Sequence, residues 1–173
     1  MGSDSPKGCR YIPWAGRNPI YAVVENVRSL FNVGAVFRAA DGVNAAAVYL
    51  TGFTGHPPRP EISRVALGAE ASVPWCCERS TVDTIEMLRG EGVQILAFEK
   101  NDRSVDYRSV SLSFPVAIVV GHEVEGVRPE TIDHCDAVLH LPMLGSKDSL
   151  NVSVAAGIAF YHVLTLKESG DAQ

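Results

Sequence analysis

The sequence predicts an α/β fold, in which a largely parallel sheet carries helices on both faces. Five short runs rich in β-branched residues are almost continuously apolar, as strands covered on both faces are; the runs are Ile20–Val24, Ala46–Leu50, Val93–Phe98, Val116–Gly121 and Ala137–Leu141. Segments with helical periodicity alternate with these runs, which favours a parallel sheet. Apolar residues make up 46% of the 173 residues, enough for one substantial core.

Three segments have a helical pattern. Asn32–Ala40 opens with a residue type that caps helices, and its apolar residues fall on one face. Ser80–Arg89 has a comparable pattern. Asn151–Lys167 follows Asp148 and Ser149, and either of these two residues could cap the helix.

The domain organisation is expected to be simple. A single domain over residues 20–167 lies between an N-terminal tail, residues 1–19, and a C-terminal tail, residues 168–173. No apolar stretch reaches the roughly 18 uncharged residues of a membrane span, and the first residues lack the apolar region of a signal peptide. The sequence therefore predicts a cytoplasmic protein with no membrane partner.

The cysteines and histidines do not form a metal-binding pattern. The four cysteines contain no C-x-x-C pair, and we interpret them as small buried or incidental thiols rather than a metal or redox site; they are Cys9, Cys76, Cys77 and Cys135. The five histidines are scattered, with no pair at helical spacing around a glutamate. We expect no metal.

The charge distribution is uneven. The formal net charge is −5, but residues 1–64 hold seven basic and four acidic side chains, a net +3 that leaves −8 for the rest. A polarised surface can bind RNA with its basic face even when the whole protein is acidic. The alternative, that these arginines form an ordinary solvated surface, is equally compatible with the charge.

Polar segments that follow the apolar runs are the candidate site, because parallel sheets bind ligands outside the carboxyl ends of their strands. The first segment contains Asn26, Asn32 and Arg38. Arg38 follows Asn32 by six residues, and we expect the two on roughly one side of the helix. In the alternative interpretation, Arg38 extends from a core helix to solvent or pairs with Asp41.

The second segment, GHEVEG at residues 121–126, places acidic residues between two glycines. No Lys-Ser/Thr pair follows, which excludes a Walker phosphate loop, and the chain has no G-x-G-x-x-G fingerprint of dinucleotide binding. Acidic groups here suit a ligand that carries hydroxyls and a positive charge.

The third segment, LPMLGSKDSLNVSVAAGIAFYHVL at residues 141–164, ends a strand at Pro142, crosses a polar loop and enters a helix near Ser149 and Asn151. Ser149 could be no more than a helix cap. The G-x-S-x-G elbow of a Ser-His-Asp hydrolase is absent.

Together the three segments resemble the signature motifs of the SpoU (TrmH-like) branch of the SPOUT RNA methyltransferases, over about residues 20–166. The third segment follows the family pattern almost position for position. The first two match at the residues that define them, which are Asn26, Asn32, Gly34, Ala35, Arg38, Ala40, Gly121, Glu123 and Gly126.

The resemblance implies a fold, a cofactor and a partner. Family members have a parallel α/β sheet with a C-terminal deep trefoil knot, and they form homodimers in which both subunits build each pocket. S-adenosylmethionine would be held largely by backbone groups at five positions, which are Phe98, Gly121, Leu141, Met143 and Leu150.

The resemblance also implies an activity, methylation of a ribose 2′-hydroxyl in RNA. Arg38 corresponds to the catalytic arginine, and the positioning residues would be Asn32, Glu123, Ser149 and Asn151. The chain resembles compact members, several of which act on tRNA, so we expect tRNA rather than rRNA.

Two further expectations stay open. A non-catalytic RNA- or nucleotide-binding domain of the same fold is the alternative, and its marker would be a broken motif. The N-terminal tail mixes cations with an aromatic residue and could touch RNA, with disorder as its alternative; the residues concerned are Lys7, Arg10, Trp14 and Arg17.

Overall fold

The structure, a computed structural model, describes residues 9–170. Seven strands form one sheet in which every pairing is parallel, in the order β3-β2-β1-β6-β4-β7-β5. The strands are β1 Asn18–Glu25, β2 Ala45–Thr51, β3 Trp75–Glu78, β4 Gln94–Phe98, β5 Val105–Asp106, β6 Val116–Val120 and β7 Ala137–His140.

Within residues 9–170, six α-helices and one 3₁₀ turn, Tyr107–Ser109, connect or follow the strands. The helices are α1 Leu30–Gly42, α2 Pro60–Ala66, α3 Ala69–Ser72, α4 Thr81–Gly90, α5 Pro129–Ile132 and α6 Val152–Ser169. The predicted parallel α/β fold is confirmed, and each of the five apolar runs contains a strand. A knot depends on how the chain threads through its own loops, which the strand order does not describe. The trefoil knot therefore stays a prediction.

The core has two layers, one on each face of the sheet. Side chains alternate between the faces along each strand: Ile20 of β1 belongs to the cluster that includes residues of α1, α2, α3 and α6, whereas Tyr21 belongs to the cluster that includes residues of α4 and α5. Both are fully buried. Helices therefore cover both faces, and this double coverage explains why the central strands are apolar at nearly every position.

The helix caps differ from those expected. Ser29, not Asn32, caps α1, and its hydroxyl accepts a hydrogen bond from the Asn32 amide at 3.4 Å. Asn151, not Asp148 or Ser149, caps α6, and its side-chain oxygen accepts from the Ser153 amide at 2.9 Å. Both caps leave Asn32 and Ser149 available for other contacts.

Some elements were not predicted because they are too short to show a period. β3 has four residues, all partly exposed at the sheet edge, and β5 has two. α2, α3 and α5 have seven, four and four residues.

Within the described residues, parts of both predicted tails take part in the fold. The amide of Ile12 donates to the Tyr49 hydroxyl at 3.0 Å, and the Tyr21 hydroxyl donates to the Ile12 carbonyl at 2.8 Å, so this segment packs on the α4/α5 face. At the other end α6 continues to Ser169. Lys7 lies outside the described residues. Arg17 binds the Ser72 carbonyl at 2.6 Å, so its guanidinium has a structural role.

The interpretation of all four cysteines as incidental thiols was also wrong. Cys9 and Cys76 form a disulfide that links the segment before β1 to β3, across 67 residues of sequence. Cys77 and Cys135 are free and partly buried. The spacing of cysteines in the sequence carries no signal for this pair, because the fold alone brings the two segments together.

Residues 9–170 contain neither a membrane-spanning helix nor a metal-binding cluster. No helix there is both long and apolar enough to cross a membrane. Nor does that part of the chain group three His, Cys, Asp or Glu side chains in a way that could hold a metal ion.

Candidate active site

The carboxyl ends of β6, β4 and β7 open into one cleft. All five residues expected to bind the cofactor line it: Phe98 ends β4, Gly121 follows β6, and Leu141, Met143 and Leu150 come from the segment after β7. Glu123 and Ser149 line the same cleft. The fold therefore brings residues from the second and third sequence segments together, although 14 residues separate the two segments in the chain.

Glu123 links this cleft to the start of α1. Its carboxylate accepts hydrogen bonds from the amides of Arg28 at 3.0 Å and Ser29 at 2.9 Å, and from the side-chain amide of Asn32 at 2.9 Å. The donors lie at the amino end of a helix, where unpaired amides favour an anion. The second segment is thereby joined to the first.

Asn32 makes the connection to the third segment as well. Its side-chain oxygen accepts a hydrogen bond of 3.1 Å from the side-chain amide of Asn151, while its own side-chain NH₂ group donates to Glu123. Each group of Asn32 has one partner, and an isosteric aspartate could not donate the second bond. A chain of hydrogen bonds from Glu123 through Asn32 to Asn151 thus holds the three segments in one arrangement.

The electrostatics of Glu123 follow from these contacts. Partial burial raises the pKa of the Glu123 carboxyl, but the hydrogen bonds from Arg28, Ser29 and Asn32 outweigh burial and lower the pKa to about 2. The group is therefore ionised throughout the neutral range. A carboxylate with so low a pKa is a weak base, which suits a positioning role.

The glycines of the 121–126 segment are required by close approach. A Cβ on Gly121 would overlap the backbone of Gly126, and a Cβ on Gly126, which has φ of 71°, would overlap the Glu99 carboxylate. Paired backbone hydrogen bonds of 3.0 and 2.9 Å between His122 and Gly126 close the turn. The turn consequently has one conformation available to it.

Two further carboxylates hold the exit from this turn. Glu99 accepts the Val127 amide at 2.8 Å. Glu25, which is fully buried at the end of β1, accepts the Arg128 amide at 2.9 Å and the Thr131 hydroxyl at 2.5 Å. A buried carboxylate is tolerated when its oxygens have donors, so Glu25 is a fixed anchor beneath the site.

Arg38 does not join this network. Its side chain is exposed, makes no hydrogen bond or ion pair with any residue from 9 to 170, and does not line the cleft. The expectation that it shares one side of the helix with Asn32 was wrong, because six residues at about 100° each leave the two about 120° apart. The alternative pairing with Asp41 is also absent, since Asp41 accepts instead from Ser72 at 2.6 Å.

The loop of the third segment has an open backbone. Between Met143 and Leu150 no backbone group makes a hydrogen bond to the described residues, and the ion pair of Lys100 with Asp148 at 3.8 Å is the loop's one polar contact with them. Amides and carbonyls along one wall of the cleft are therefore free to bind a ligand. Ser149 lies in this loop rather than in a cap.

Several cleft residues were not predicted individually. Glu99, Lys100, His122 and His140 line the cleft. The signal for Glu99 was a charged residue directly after a buried strand. His140 is positioned by the Ser104 hydroxyl, 3.0 Å from its Nδ1 atom, and nothing in the sequence marks that pair.

Comparison with known proteins identifies this arrangement. The family described as the SpoU rRNA Methylase family matches residues 19–161. The chain belongs to this family. The resemblance inferred from the three motifs is thereby confirmed.

The similar proteins span several RNA methyltransferases. The 23S rRNA (guanosine-2′-O-)-methyltransferase RlmB of Pseudomonas syringae pv. tomato is 33% identical over 146 residues, which are 84% of this chain and 58% of that protein. RlmB of Vibrio parahaemolyticus is also 33% identical, over 84% of this chain and 59% of its own. This SpoU chain thus spans less than two thirds of the curated relatives it matches.

Solved structures of RNA-modifying enzymes have a similar fold. The TrmH/SpoU tRNA modifying enzyme of A. aeolicus is 29% identical with a TM-score of 0.80, over 90% of this chain and 79% of that one. The AdoMet-bound rRNA methyltransferase of Sinorhizobium meliloti is 30% identical with a TM-score of 0.79, over 92% of this chain and 61% of that one.

Proposed function

We propose that this protein is an S-adenosylmethionine-dependent RNA methyltransferase that modifies a ribose 2′-hydroxyl, with rRNA as its substrate. The observation that carries the proposal is the joining of three intact motif segments, by Glu123, Asn32 and Asn151, beside one cleft. The alternative of a non-catalytic domain requires a broken motif, and no observation favours it. A cytoplasmic location is part of the proposal.

The residues of the cleft fit the cofactor. Phe98, Leu141 and Leu150 offer apolar surface for a flat ring, and the unpaired backbone of Met143–Leu150 offers donors and acceptors for its polar edge. Glu99 and Glu123 line the cleft with carboxylates, which would suit a ligand that carries hydroxyls and a positive charge. When bound, the cofactor supplies a methyl group already activated by its sulfonium.

The protein's contribution is then to position the ribose and to stabilise charge. Glu123 and Asn32 fix the loop that faces the ribose, together with Ser149 and Asn151, and orientation of this kind can supply several kcal/mol of the barrier. The Arg38 guanidinium stays protonated, so we assign it to stabilising the oxygen that loses its proton, or to an RNA phosphate that orients the nucleotide.

The Arg38 guanidinium has no hydrogen-bond or ion-pair partner among residues 9–170. This supports a homodimer in which Arg38 acts in the cleft of the other subunit. α6 exposes an apolar stripe at helical spacing, Val154, Ile158 and Tyr161, of which 49%, 37% and 52% are accessible. The stripe follows the open loop of the cleft directly in the chain. A second copy packed on α6 would cover it.

A single substitution tests the dimer. Ile158→Asp places a charge in the stripe and should convert a dimer to a monomer in analytical ultracentrifugation. Val105→Asp is the matched control, because Val105 is an exposed apolar residue on β5, at the sheet edge. A wild type that sediments as a monomer would dismiss the dimer.

The curated relatives, which are 23S rRNA methyltransferases, support rRNA rather than the tRNA expected from the sequence, although the A. aeolicus structure is of a tRNA modifying enzyme. The decisive experiment measures transfer of labelled methyl from S-adenosylmethionine to rRNA and, separately, to tRNA, with wild type and Arg38→Ala. Label in rRNA that maps to a 2′-O-methyl nucleoside and is lost in the variant supports the proposal. Label found only in tRNA would show that the substrate is tRNA and not rRNA. No label in either RNA pool would reject the methyltransferase activity.

A further inference from the structure

The carboxyl edge of the sheet has a second half beside the cleft. The cleft occupies the ends of β6, β4 and β7, whereas among the described residues none from the segments that follow β1, β2 and β3 lines it. Arg28 follows β1, Phe53 follows β2 and Arg79 follows β3. Neighbouring strands lie about 4.8 Å apart, so these residues form a surface that continues directly from the site.

Phe53 is the aromatic residue of this surface. Its side chain is 63% accessible, and its ring stands edge to face against His122, with 6.0 Å between the ring centroids. His122 lies in the 121–126 turn, and its own ring is fixed because Nδ1 accepts the amides of Val124 and Glu125 at 3.2 and 3.1 Å. Phe53 thus packs against the 121–126 turn while its ring stays accessible to solvent.

The exposure of Phe53 is built into the loop and does not result from a loose loop. Its amide donates to the Asn26 side chain at 3.1 Å, and that side chain occupies the space beside Gly52, where φ is 66° and a Cβ would overlap it. The next residue, Thr54, is buried and donates to the Val24 carbonyl at 2.9 Å. Anchors on both sides therefore hold an apolar ring in water.

The cations on this surface are free. The side chains of Arg28 and Arg79 make no hydrogen bond or ion pair within the described residues, and all ion pairs found there join residues between 86 and 148. An exposed aromatic ring flanked by unpaired arginines is what single-stranded RNA binds, since its bases stack on the ring and its phosphates meet the cations.

We propose that Phe53 is a stacking platform for an RNA base adjacent to the methylated nucleotide, with Arg28 and Arg79 contacting the flanking phosphates. The inference rests on the proposed function, because it takes RNA as the substrate of the neighbouring cleft. Stacking accepts any base, so Phe53 sets the position of the strand and not the identity of the nucleotide.

Direct binding tests the platform without catalysis. The probe is a single-stranded RNA of twelve nucleotides that carries 2-aminopurine, compared with the same strand made abasic at that position. Phe53→Ala should weaken binding of the base-bearing strand by roughly 5- to 150-fold, the range of one stacked base, and leave the abasic strand unchanged. Phe53→Tyr should restore affinity. Leu67→Ala, which truncates a side chain of similar exposure (67%), is the matched control.

The outcomes separate this inference from the proposed function. Quenching of 2-aminopurine by wild type but not by Phe53→Ala supports the platform even when neither RNA pool accepts a methyl group, a result that rejects the proposed activity alone. In a methylating enzyme Phe53→Ala should also raise KM for the RNA and leave KM for the cofactor unchanged. Equal affinity of wild type and Phe53→Ala for the base-bearing strand, or no binding by wild type, overturns the inference.

Discussion

Asn32 donates a 2.9 Å hydrogen bond to the carboxylate of Glu123, a residue 91 positions later in the chain. The same side chain accepts from Asn151, 119 positions away, at 3.1 Å. One side-chain amide group therefore bonds to both of the other segments, and its two partners require opposite hydrogen-bonding groups.

Two substitutions of Asn32 should have graded effects. Asn32→Ala removes both bonds and should lower turnover with the fold intact, at a stability cost of about 1 kcal/mol. Asn32→Asp keeps the size but sets a second carboxylate against Glu123, so it should be the worse variant in both methyl-transfer rate and thermal unfolding. Wild-type turnover in Asn32→Asp would remove Asn32 from the site.

The contribution of Glu123 to stability should depend on pH. Its folded-state pKa of about 2 lies below the ordinary glutamate value near 4.3. The stabilisation is therefore fully present above about pH 4.3 and is lost as pH falls towards 2. We expect the difference in free energy of unfolding between wild type and Glu123→Gln to stay constant from pH 8 to pH 5 and to shrink below that. Urea denaturation at several pH values measures it, and a difference that grows on acidification would contradict the assignment.

Arg38 should work across the proposed dimer. Arg38→Ala has an intact cleft and should bind S-adenosylmethionine like wild type, yet lose roughly 100- to 1,000-fold in turnover. Leu141→Arg obstructs the cleft but keeps Arg38. If Arg38 acts in the partner's cleft, mixing the two inactive variants should restore about a quarter of wild-type activity, because half of the dimers are mixed and each has one complete site. Recovery of no activity from an exchanged mixture would assign Arg38 to its own cleft.

Glu25 should contribute both to the free energy of unfolding and to the position of the segment that follows the 121–126 turn. Glu25→Ala leaves the buried Thr131 hydroxyl and the partly buried Arg128 amide without an acceptor, which should cost about 1–3 kcal/mol. Thr131→Val removes one donor and leaves Glu25 its bond to Arg128, so it should cost less. Thermal unfolding ranks the two, and calorimetry should find weaker cofactor binding in Glu25→Ala. Equal melting temperatures for Glu25→Ala and wild type would mean that the carboxylate is not an anchor.

The sequence predicted what depends on local pattern. The apolar runs located five of the seven strands, and the residues after Phe98, Val120 and His140 pointed to the cleft because parallel strands end at one edge. Short elements such as β5 carry too few residues to show a period.

Contacts between distant segments left no local signal. The disulfide of Cys9 with Cys76 and the anchor at Glu25 both join groups that only the folded chain brings together. The 120° offset of Arg38 from Asn32 was readable from helix geometry. Its lack of a partner within residues 9–170 was not.

The hydrogen-bond chain through Asn32 also has a consequence for synthesis. A ribosome that has translated α1 and the Glu123 turn still holds a chain without a site, since Asn151 and the fold of α6 are missing. Cofactor can therefore be captured only by molecules that have completed this part of the chain, and whatever binds the native state alone raises its share of the population. Bound cofactor would thus stabilise completed chains and leave unfinished ones unaffected.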